Sequence, residues 1–205
     1  NANPFAQRST LEYELPPFAQ IKEEHYLPAF YEGCAEHLVE VQAILDTPGA
    51  ATFENTIVAL EKSGQYLGRM MRVFYNKSSS DTNDALDTIE EEIAPKLAAH
   101  QDAISLNPVL FKRIKDLYDA RESLGLNSED AWLLERYYKD LIHKGAHLTE
   151  AQRERLKELN EELSSLQTQF SKNVLADTND LAVLVDTAEE LDGLSENQIA
   201  AAKAA

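Results

Sequence analysis

Residues 156–174 of the chain read LKELNEELSSLQTQFSKNV, and this stretch decides the fold class. Its apolar residues recur at steps of three and four: Leu156, Leu159, Leu163, Leu166, Phe170 and Val174. That spacing places them on one face of an α-helix, whereas a half-buried strand would alternate at every second residue. Just before it, Thr149 and Gln152 have the spacing of a capping box. The stretch therefore predicts an amphipathic helix that packs in a hairpin or bundle.

The same spacing recurs along most of the chain. It predicts a helix from Leu27 to Leu45, a second from Thr52 through Phe74 with Gly64 and Gly68 in its interior, and a third over about 82–106. Asn107-Pro108 begins a fourth that ends near Gly125, Ser128 begins a fifth that ends at Gly145, and Ser195 with Gln198 caps a last one. We expect few, long elements, because Gly 7 and Pro 7 are low counts for 205 residues.

Two segments depart from this pattern. Residues 1–18 read as an extended N-terminal arm. Residues 181–185 are short, apolar and rich in valine, which predicts a β-strand. The predicted fold class is mainly α: an elongated multi-helix bundle with one short β-strand near 181–185.

Composition limits the partners. The chain carries 19 Lys and Arg against 36 Asp and Glu, a formal net charge of −17, so we expect no nucleic-acid partner, since such binding relies on basic side chains. No basic cluster suits an anionic membrane, and no apolar run is long enough to cross one. The one cysteine, Cys34, forms no disulfide framework and reads as a core residue. With no signal-peptide pattern at the N-terminus, a cytoplasmic location is expected.

One histidine pair has a spacing that metal sites use. His143 and His147 are four residues apart, but a zinc peptidase helix needs a glutamate directly after the first histidine. Lys144 stands there instead, and Gly145 breaks the helix. We therefore interpret the pair as structural.

The other candidate residues favour ordinary roles as well. Glu90–Glu92 are consecutive, so on a helix they point in different directions and form a solvated face. The stretches 81–84 and 177–180 both read DTND, but they lack the glycine and glutamate of a calcium loop and are explained as caps and turns. His25, His37 and His100 stand isolated in the sequence. We predict no catalytic, cofactor-binding or metal-binding residue in this chain.

Four blocks of sequence carry a resemblance to a known family. They are PPF at 16–18 with IKEEHYLPAF at 21–30, TFENTIVALEKSG at 52–64, IAPKLAAH at 93–100 with LNPVLF at 106–111, and LNEEL at 159–163 through FSKNV at 170–174. In this order they resemble the N-terminal region of bacterial peptidyl-dipeptidases (dipeptidyl carboxypeptidases). These are zinc metallopeptidases of the thimet-oligopeptidase type, and oligopeptidase A is a near relative.

The resemblance implies more than the residues do. It implies that residues 19–205 are the N-terminal helical domain of a larger peptidase, truncated before the catalytic zinc domain. The family's H-E-x-x-H helix and third zinc-ligating glutamate match no position here, so this piece alone is expected to be inactive and to hold no zinc. In the family this region forms one wall of a channel that admits short oligopeptides. The expected partners are an oligopeptide substrate and the chain's own C-terminal catalytic domain, with dimerisation of the isolated piece.

Two alternatives stay open at this point. The parent could be an endo-acting peptidase like oligopeptidase A, which these residues do not separate from a peptidyl-dipeptidase. The chain could also be a stand-alone helical interaction module, since the apolar row from Leu156 to Val174 suits a protein partner.

Overall fold

The computed structural model describes residues 3–181, 183, 185, 187 and 189–204, which fall into two compact units, Asn1–Thr168 and Gln169–Ala205. The described chain is mainly helical. Its α-helices are α1 (Tyr26–Leu45), α2 (Ala59–Lys62), α3 (Gln65–Ser80), α4 (Asp84–Ser105), α5 (Pro108–Asp119), α6 (Ser128–His143), α7 (Glu150–Asp180) and α8 (Glu196–Ala204). Short 3-10 helices lie at Glu12–Glu14, Phe18–Gln20, Glu23–His25, Arg121–Ser123 and Glu189–Leu191, and a π-helix spans Phe53–Val58.

The first core of the Asn1–Thr168 unit lies among α1, α3 and α4. The apolar rows of these three helices meet in it, and its largest fully buried side chains are Phe30, Met70, Phe74, Leu86 and Ile93. The approach of α1 to α3 is close, because a Cβ on Gly33 would lie 3.0 Å from the Cα of Leu67. A glycine in the middle of α1 is thus explained by the neighbouring backbone rather than by a turn.

A second core joins the π-helix to α5 and α6. Ile57, Leu110, Ile114 and Leu134 are fully buried there. The start of α5 is as the sequence predicts: Asn107 caps it through Oδ1, which accepts from the backbone N–H groups of Val109 and Leu110. Pro108 then occupies the first helical turn, where its missing N–H costs nothing.

The predicted continuous helix from Thr52 through Phe74 is wrong. Thr52 does cap the π-helix, but the helical run ends at Lys62 and resumes at Gln65. Between them Gly64 adopts a left-handed conformation with φ +67°, which ends a helix and favours glycine.

Phe5 anchors the N-terminal segment to the first core. Phe5 is 5% exposed, and its ring lies 5.5 Å from that of Tyr26 at the start of α1. The side-chain amide of Asn3 also donates to the carbonyl of His25. Tyr13 and Glu14 have positive φ values of 56° and 55°, which non-glycine residues adopt only at a cost.

Helix α7 confirms the helix predicted from residues 156–174, and Thr149 with Gln152 forms the predicted capping box. Of its 31 residues, all of which the structure describes, none is buried. In the first unit it is tied to α4 by Asn160, whose amide donates to both carboxylate oxygens of Asp102 at 3.1 and 2.8 Å. The other unit contains α8 and the C-terminal end of α7. Helix α8 begins at the predicted capping box of Ser195 and Gln198.

The prediction of a β-strand over 181–185 is wrong for the residues described there. Helix α7 continues to Asp180, Leu181 lies in a turn, and Val183 and Val185 have no regular structure, while Ala182 and Leu184 lie outside the described residues. Leu181 is 78% and Val183 87% exposed, and the part of the chain that the structure describes contains no strand that could pair with them. A lone strand has no ladder of hydrogen bonds to stabilise it.

None of the helices in the described ranges combines the length and hydropathy that crossing a bilayer requires.

Candidate functional site

The most distinctive polar cluster joins three separated parts of the chain. His37 on α1 and His100 on α4 are 63 residues apart, yet His37 Nδ1 lies 3.0 Å from His100 Nε2. Ser63 Oγ, between α2 and α3, lies 3.3 Å from His37 Nε2. His37 and His100, which stand isolated in the sequence, are thus in contact in the fold, and no spacing in the sequence signals a contact between residues on different helices.

The break at Gly64 makes room for this cluster. A Cβ at Gly64 would lie 2.9 Å from His37 Cε1 and 3.0 Å from both ring nitrogens. The Gly64 N–H donates to Glu40 Oε2 at 2.7 Å, so the turn is also fastened to α1. Glycine is required here for its positive φ and for the space that a side chain would fill.

The direction of the hydrogen bonds follows from counting protons. The Ser63 hydroxyl donates to the carbonyl of Leu60 at 2.8 Å, which uses its single proton. His37 Nε2–H then donates to Ser63 Oγ, and His37 Nδ1 accepts from His100 Nε2–H. This assignment makes His100 Nδ1 an acceptor, and that buried atom has no partner among the described residues.

Burial keeps the two rings neutral. It lowers the pKa of His37 below its ordinary value, although nearby Glu40 opposes the shift. It also lowers the pKa of His100, and the neighbouring His37 adds to that effect. Neutral imidazoles agree with the proton count, in which each ring donates from one nitrogen only.

This arrangement is unsuited to nucleophilic catalysis. A catalytic histidine must accept the proton of the serine hydroxyl, and a third group must orient it. Here His37 donates to Ser63 while the serine proton points at Leu60. The cluster instead holds α1, the turn at Gly64 and α4 together.

A cavity of about 490 Å³ lies beside the histidine pair. Its lining includes His37, His100, Tyr137 and Asp140. The Tyr137 hydroxyl donates to Glu61 Oε1 at 2.6 Å, and burial, reinforced by that carboxylate, raises its pKa. A phenol so held stays protonated at neutral pH and is not a base.

His143 and His147, the two histidines with the spacing of a metal site, do not belong to this cluster. His143 is the last residue of α6, and His147 follows Gly145, whose φ is +93°. Both are exposed. Among the described residues no group of three or more His, Cys, Asp and Glu side chains is placed to hold a metal ion, whereas a catalytic zinc needs three protein ligands. These residues do not fit a zinc ion.

The remaining candidates have structural partners. Glu92 pairs with Lys96 at 3.0 Å and accepts from the Tyr31 hydroxyl, so it belongs to a surface network. Asp81 ends α3 and pairs with Lys77. Cys34 packs against the first core, and burial raises its pKa to about 11, which keeps it an unreactive thiol.

Comparison with known proteins gives full-length matches of this chain to part of larger peptidases. It is 40% identical over 206 residues to the dipeptidyl carboxypeptidase of Salmonella typhimurium, covering 100% of this chain and 30% of that protein. It is 40% identical over 200 residues to the Escherichia coli dipeptidyl carboxypeptidase, covering 98% and 29%. Against Escherichia coli oligopeptidase A it is 29% identical over 192 residues, covering 94% and 28%. No protein-family model matches the chain.

The chain thus spans about 30% of the length of the curated relatives that it matches. The identity to the two dipeptidyl carboxypeptidases exceeds that to oligopeptidase A by 11 percentage points, 40 against 29. This confirms the resemblance that the four blocks predict: the chain is homologous over its whole length to dipeptidyl carboxypeptidases, with oligopeptidase A next, and fits the N-terminal region of that family.

Proposed function

We propose that this chain is the non-catalytic N-terminal helical wall of a zinc metallopeptidase whose whole form removes dipeptides from the C-termini of short oligopeptides. The observation that carries the proposal is the 40% identity along the entire chain to a dipeptidyl carboxypeptidase of which it covers 30%. Because the match includes all of this chain but only 30% of the relative, we propose that the catalytic part of the peptidase lies outside this chain.

The structure supports assigning catalysis elsewhere. The Ser63–His37–His100 cluster has the wrong proton polarity for a nucleophile, and no described group of acids, histidines and Cys34 suits a metal. We therefore propose that no residue of this chain is catalytic or binds zinc. The substrate and the catalytic domain of the same polypeptide are its partners.

Two other functions are less well supported. An endo-acting parent like oligopeptidase A is consistent with the 29% identity, but the 40% identity favours a peptidyl-dipeptidase. A stand-alone interaction module would suit the exposed leucines of α7. The full-chain relation to peptidases does not favour it.

A peptide assay separates the exo-acting from the endo-acting parent. The whole gene product is incubated with a hexapeptide that has a free C-terminus and with the same hexapeptide as its C-terminal amide, and products are identified by mass spectrometry. An exo-acting enzyme that recognises the terminal carboxylate releases a dipeptide from the free peptide and loses most of that activity on the amide. Equal internal cleavage of both peptides would contradict the peptidyl-dipeptidase assignment.

We also propose a location and a state of assembly for this chain. We propose a cytoplasmic location without a membrane partner, as the sequence predicts, and the net charge of −17 separately supports the absence of a nucleic-acid partner. Leu159, Leu163 and Leu166 on α7 are 44%, 52% and 59% exposed, and we propose that this row is covered by a second copy when the chain is isolated. Sedimentation equilibrium would then show a dimer, and a strict monomer at high concentration would contradict it.

A further inference from the structure

A second cavity, of about 520 Å³, lies between the N-terminal segment and α3, and the peptidase assignment does not use it. We call it the arginine pocket. Its lining includes Phe5, Tyr13, Pro17, Phe18, Arg69 and Arg72. A volume of this size is within the range of small-molecule sites.

Two arginines on α3 give the pocket its charge. Arg69 and Arg72 are three residues apart, so they lie on the same side of the helix. The chain carries 36 acidic residues, yet in its described part neither arginine has a carboxylate within 4.0 Å, whereas most of the other basic residues of the helices do. Two guanidinium groups without counter-charges in so acidic a chain are unexpected for a purely structural pair.

The hydrogen bonding of Arg69 is incomplete. Its Nη2 makes one long bond of 3.5 Å to the carbonyl of Phe5, and its Nε is buried without a partner among the described residues. An unpartnered Nε alone is not distinctive, because Arg113 has one too. The terminal nitrogens of Arg113, however, bond to Thr47, Asn55 and Thr56, so that guanidinium is otherwise satisfied. Arg69 retains donors that a ligand can use.

Arg72 is exposed and makes no hydrogen bond or ion pair with any described residue. Its guanidinium lies back along α3 toward Gly68, where an added Cβ would be 3.3 Å from Nη1. The glycine one turn earlier therefore leaves space for this position of the arginine. The acidic residue of the pocket lining is Glu14, which already pairs with Arg8 at 3.7 Å.

The opposite side of the pocket is apolar and exposed. Tyr13 is 87% exposed and Phe18 50%, and both line the cavity together with Pro16 and Pro17. The two prolines fix the backbone that follows Tyr13, whose own φ of 56° is unusual for an aromatic residue. A small site that presents two guanidinium groups without a paired carboxylate opposite aromatic and proline surfaces matches an anion attached to an apolar body.

We propose that the arginine pocket binds a small carboxylate ligand with an aromatic or apolar body, such as an N-acylated aromatic amino acid. The carboxylate would pair with Arg69 and Arg72, and the apolar body would lie against Tyr13 and Phe18. Arginine suits this role better than lysine, because its planar fork bonds both oxygens of a carboxylate.

The test uses two probes that differ only in the terminal group, a charged carboxylate in one and a neutral carboxamide in the other. N-acetylphenylalanine and N-acetylphenylalaninamide are titrated into the ¹⁵N-labelled 205-residue chain, and amide shifts are followed by NMR. We expect the acid to shift resonances of residues 4–18 and 69–76 in a saturable way. We expect the amide to bind at least about tenfold more weakly. Equal binding of the two probes, or no saturable shift with either, would overturn the proposal. Inorganic phosphate binding as tightly as the acid would also overturn it, because the apolar body would then contribute nothing.

Variants distinguish the arginines from general electrostatics. Arg72→Gln is the main variant, since Arg72 is exposed and its loss leaves the core unchanged; we expect about tenfold weaker binding of the acid. Arg69→Lys keeps the charge and is expected to weaken binding as well, because the fork is lost. The matched control is Arg155→Gln on α7, an exposed arginine paired with Glu158, which should bind like the parent chain. An equal loss in Arg155→Gln and Arg72→Gln would overturn the proposal.

Discussion

Helices α3 and α7 arise from the same kind of sequence pattern and end in opposite environments. Over 16 residues α3 buries six side chains: Tyr66, Leu67, Met70, Met71, Val73 and Phe74. Over 31 residues α7 buries none. Apolar spacing therefore specifies that a helix forms and which face is apolar, but not whether a partner covers that face. The free energy of folding is concentrated where a partner is present.

The largest expected difference between the two helices is in aromatic truncation. Phe74→Ala removes a fully buried ring from the first core and should lower the free energy of unfolding by about 3–5 kcal/mol. Phe170→Ala on α7 removes a ring that is 69% exposed and, at a protein concentration low enough to keep the chain monomeric, should change it by less than about 0.5 kcal/mol. Urea unfolding followed by circular dichroism measures both. Equal losses would mean that α7 is packed in solution.

The turn between α2 and α3 gives the next largest effect. Gly64→Ala forces a positive φ on alanine and places its Cβ against the His37 ring, so we expect a loss of about 2–3 kcal/mol. Gly125→Ala is the control, because Gly125 also has a positive φ, of 64°, but open space around it. It should lose about 1 kcal/mol. Were the two losses the same, the contact with His37 would have no energetic weight.

The histidine pair should make the core sensitive to acid. Burial lowers the pKa of His37 and of His100 in the folded chain, so below about pH 6.5 the unfolded chain binds more protons. Stability is then unaffected above that pH and falls below it, by up to about 1.4 kcal/mol per pH unit for each proton.

Urea midpoints between pH 7.5 and 5 measure this slope. His100→Gln should flatten it, whereas His147→Gln, which changes an exposed histidine, should leave it as in the parent chain. A slope that His100→Gln does not alter would show that the pair is not the source of the acid sensitivity.

The smallest effect compares two helix caps. Asn107→Ala removes the cap of α5, which is packed in the second core, and should cost about 1 kcal/mol. Thr149→Ala removes the hydroxyl of the α7 capping box and should cost less, because unwinding the start of α7 exposes no buried side chain. Thermal melts of the two variants rank them, and a larger loss for Thr149→Ala would contradict the contrast between the helices.

Most helices could be predicted from the sequence because their signals are local. The apolar row of α1, the Asn107-Pro108 start of α5 and the Thr149–Gln152 box all act within a few residues, and the structure contains each. The strand at 181–185 fails for a related reason: β-branched composition favours a strand only where another strand supplies hydrogen bonds. The break at Gly64 is missed by the sequence prediction because its cause lies on α1, in His37 and Glu40.

The polar sites could not be predicted because they depend on tertiary contacts. His37 and His100 lie in different helices, and their pairing follows only once α1 packs beside α4. The arginine pocket requires Tyr13 and Phe18 to lie opposite Arg69 and Arg72, more than 50 residues along the chain. The relation to peptidases, by contrast, can be recognised without the fold, since the chain is 40% identical over its whole length to a dipeptidyl carboxypeptidase.

Zinc content and peptide hydrolysis, measured side by side, test whether this chain supports a peptidase without performing its chemistry. The purified 205-residue chain and the whole gene product are dialysed against zinc, analysed by atomic emission, and assayed on a hexapeptide with a free C-terminus. We expect no stoichiometric zinc and no hydrolysis for the chain, and about one zinc with dipeptide release for the whole product. Stoichiometric zinc with dipeptide release by the chain alone would contradict this expectation.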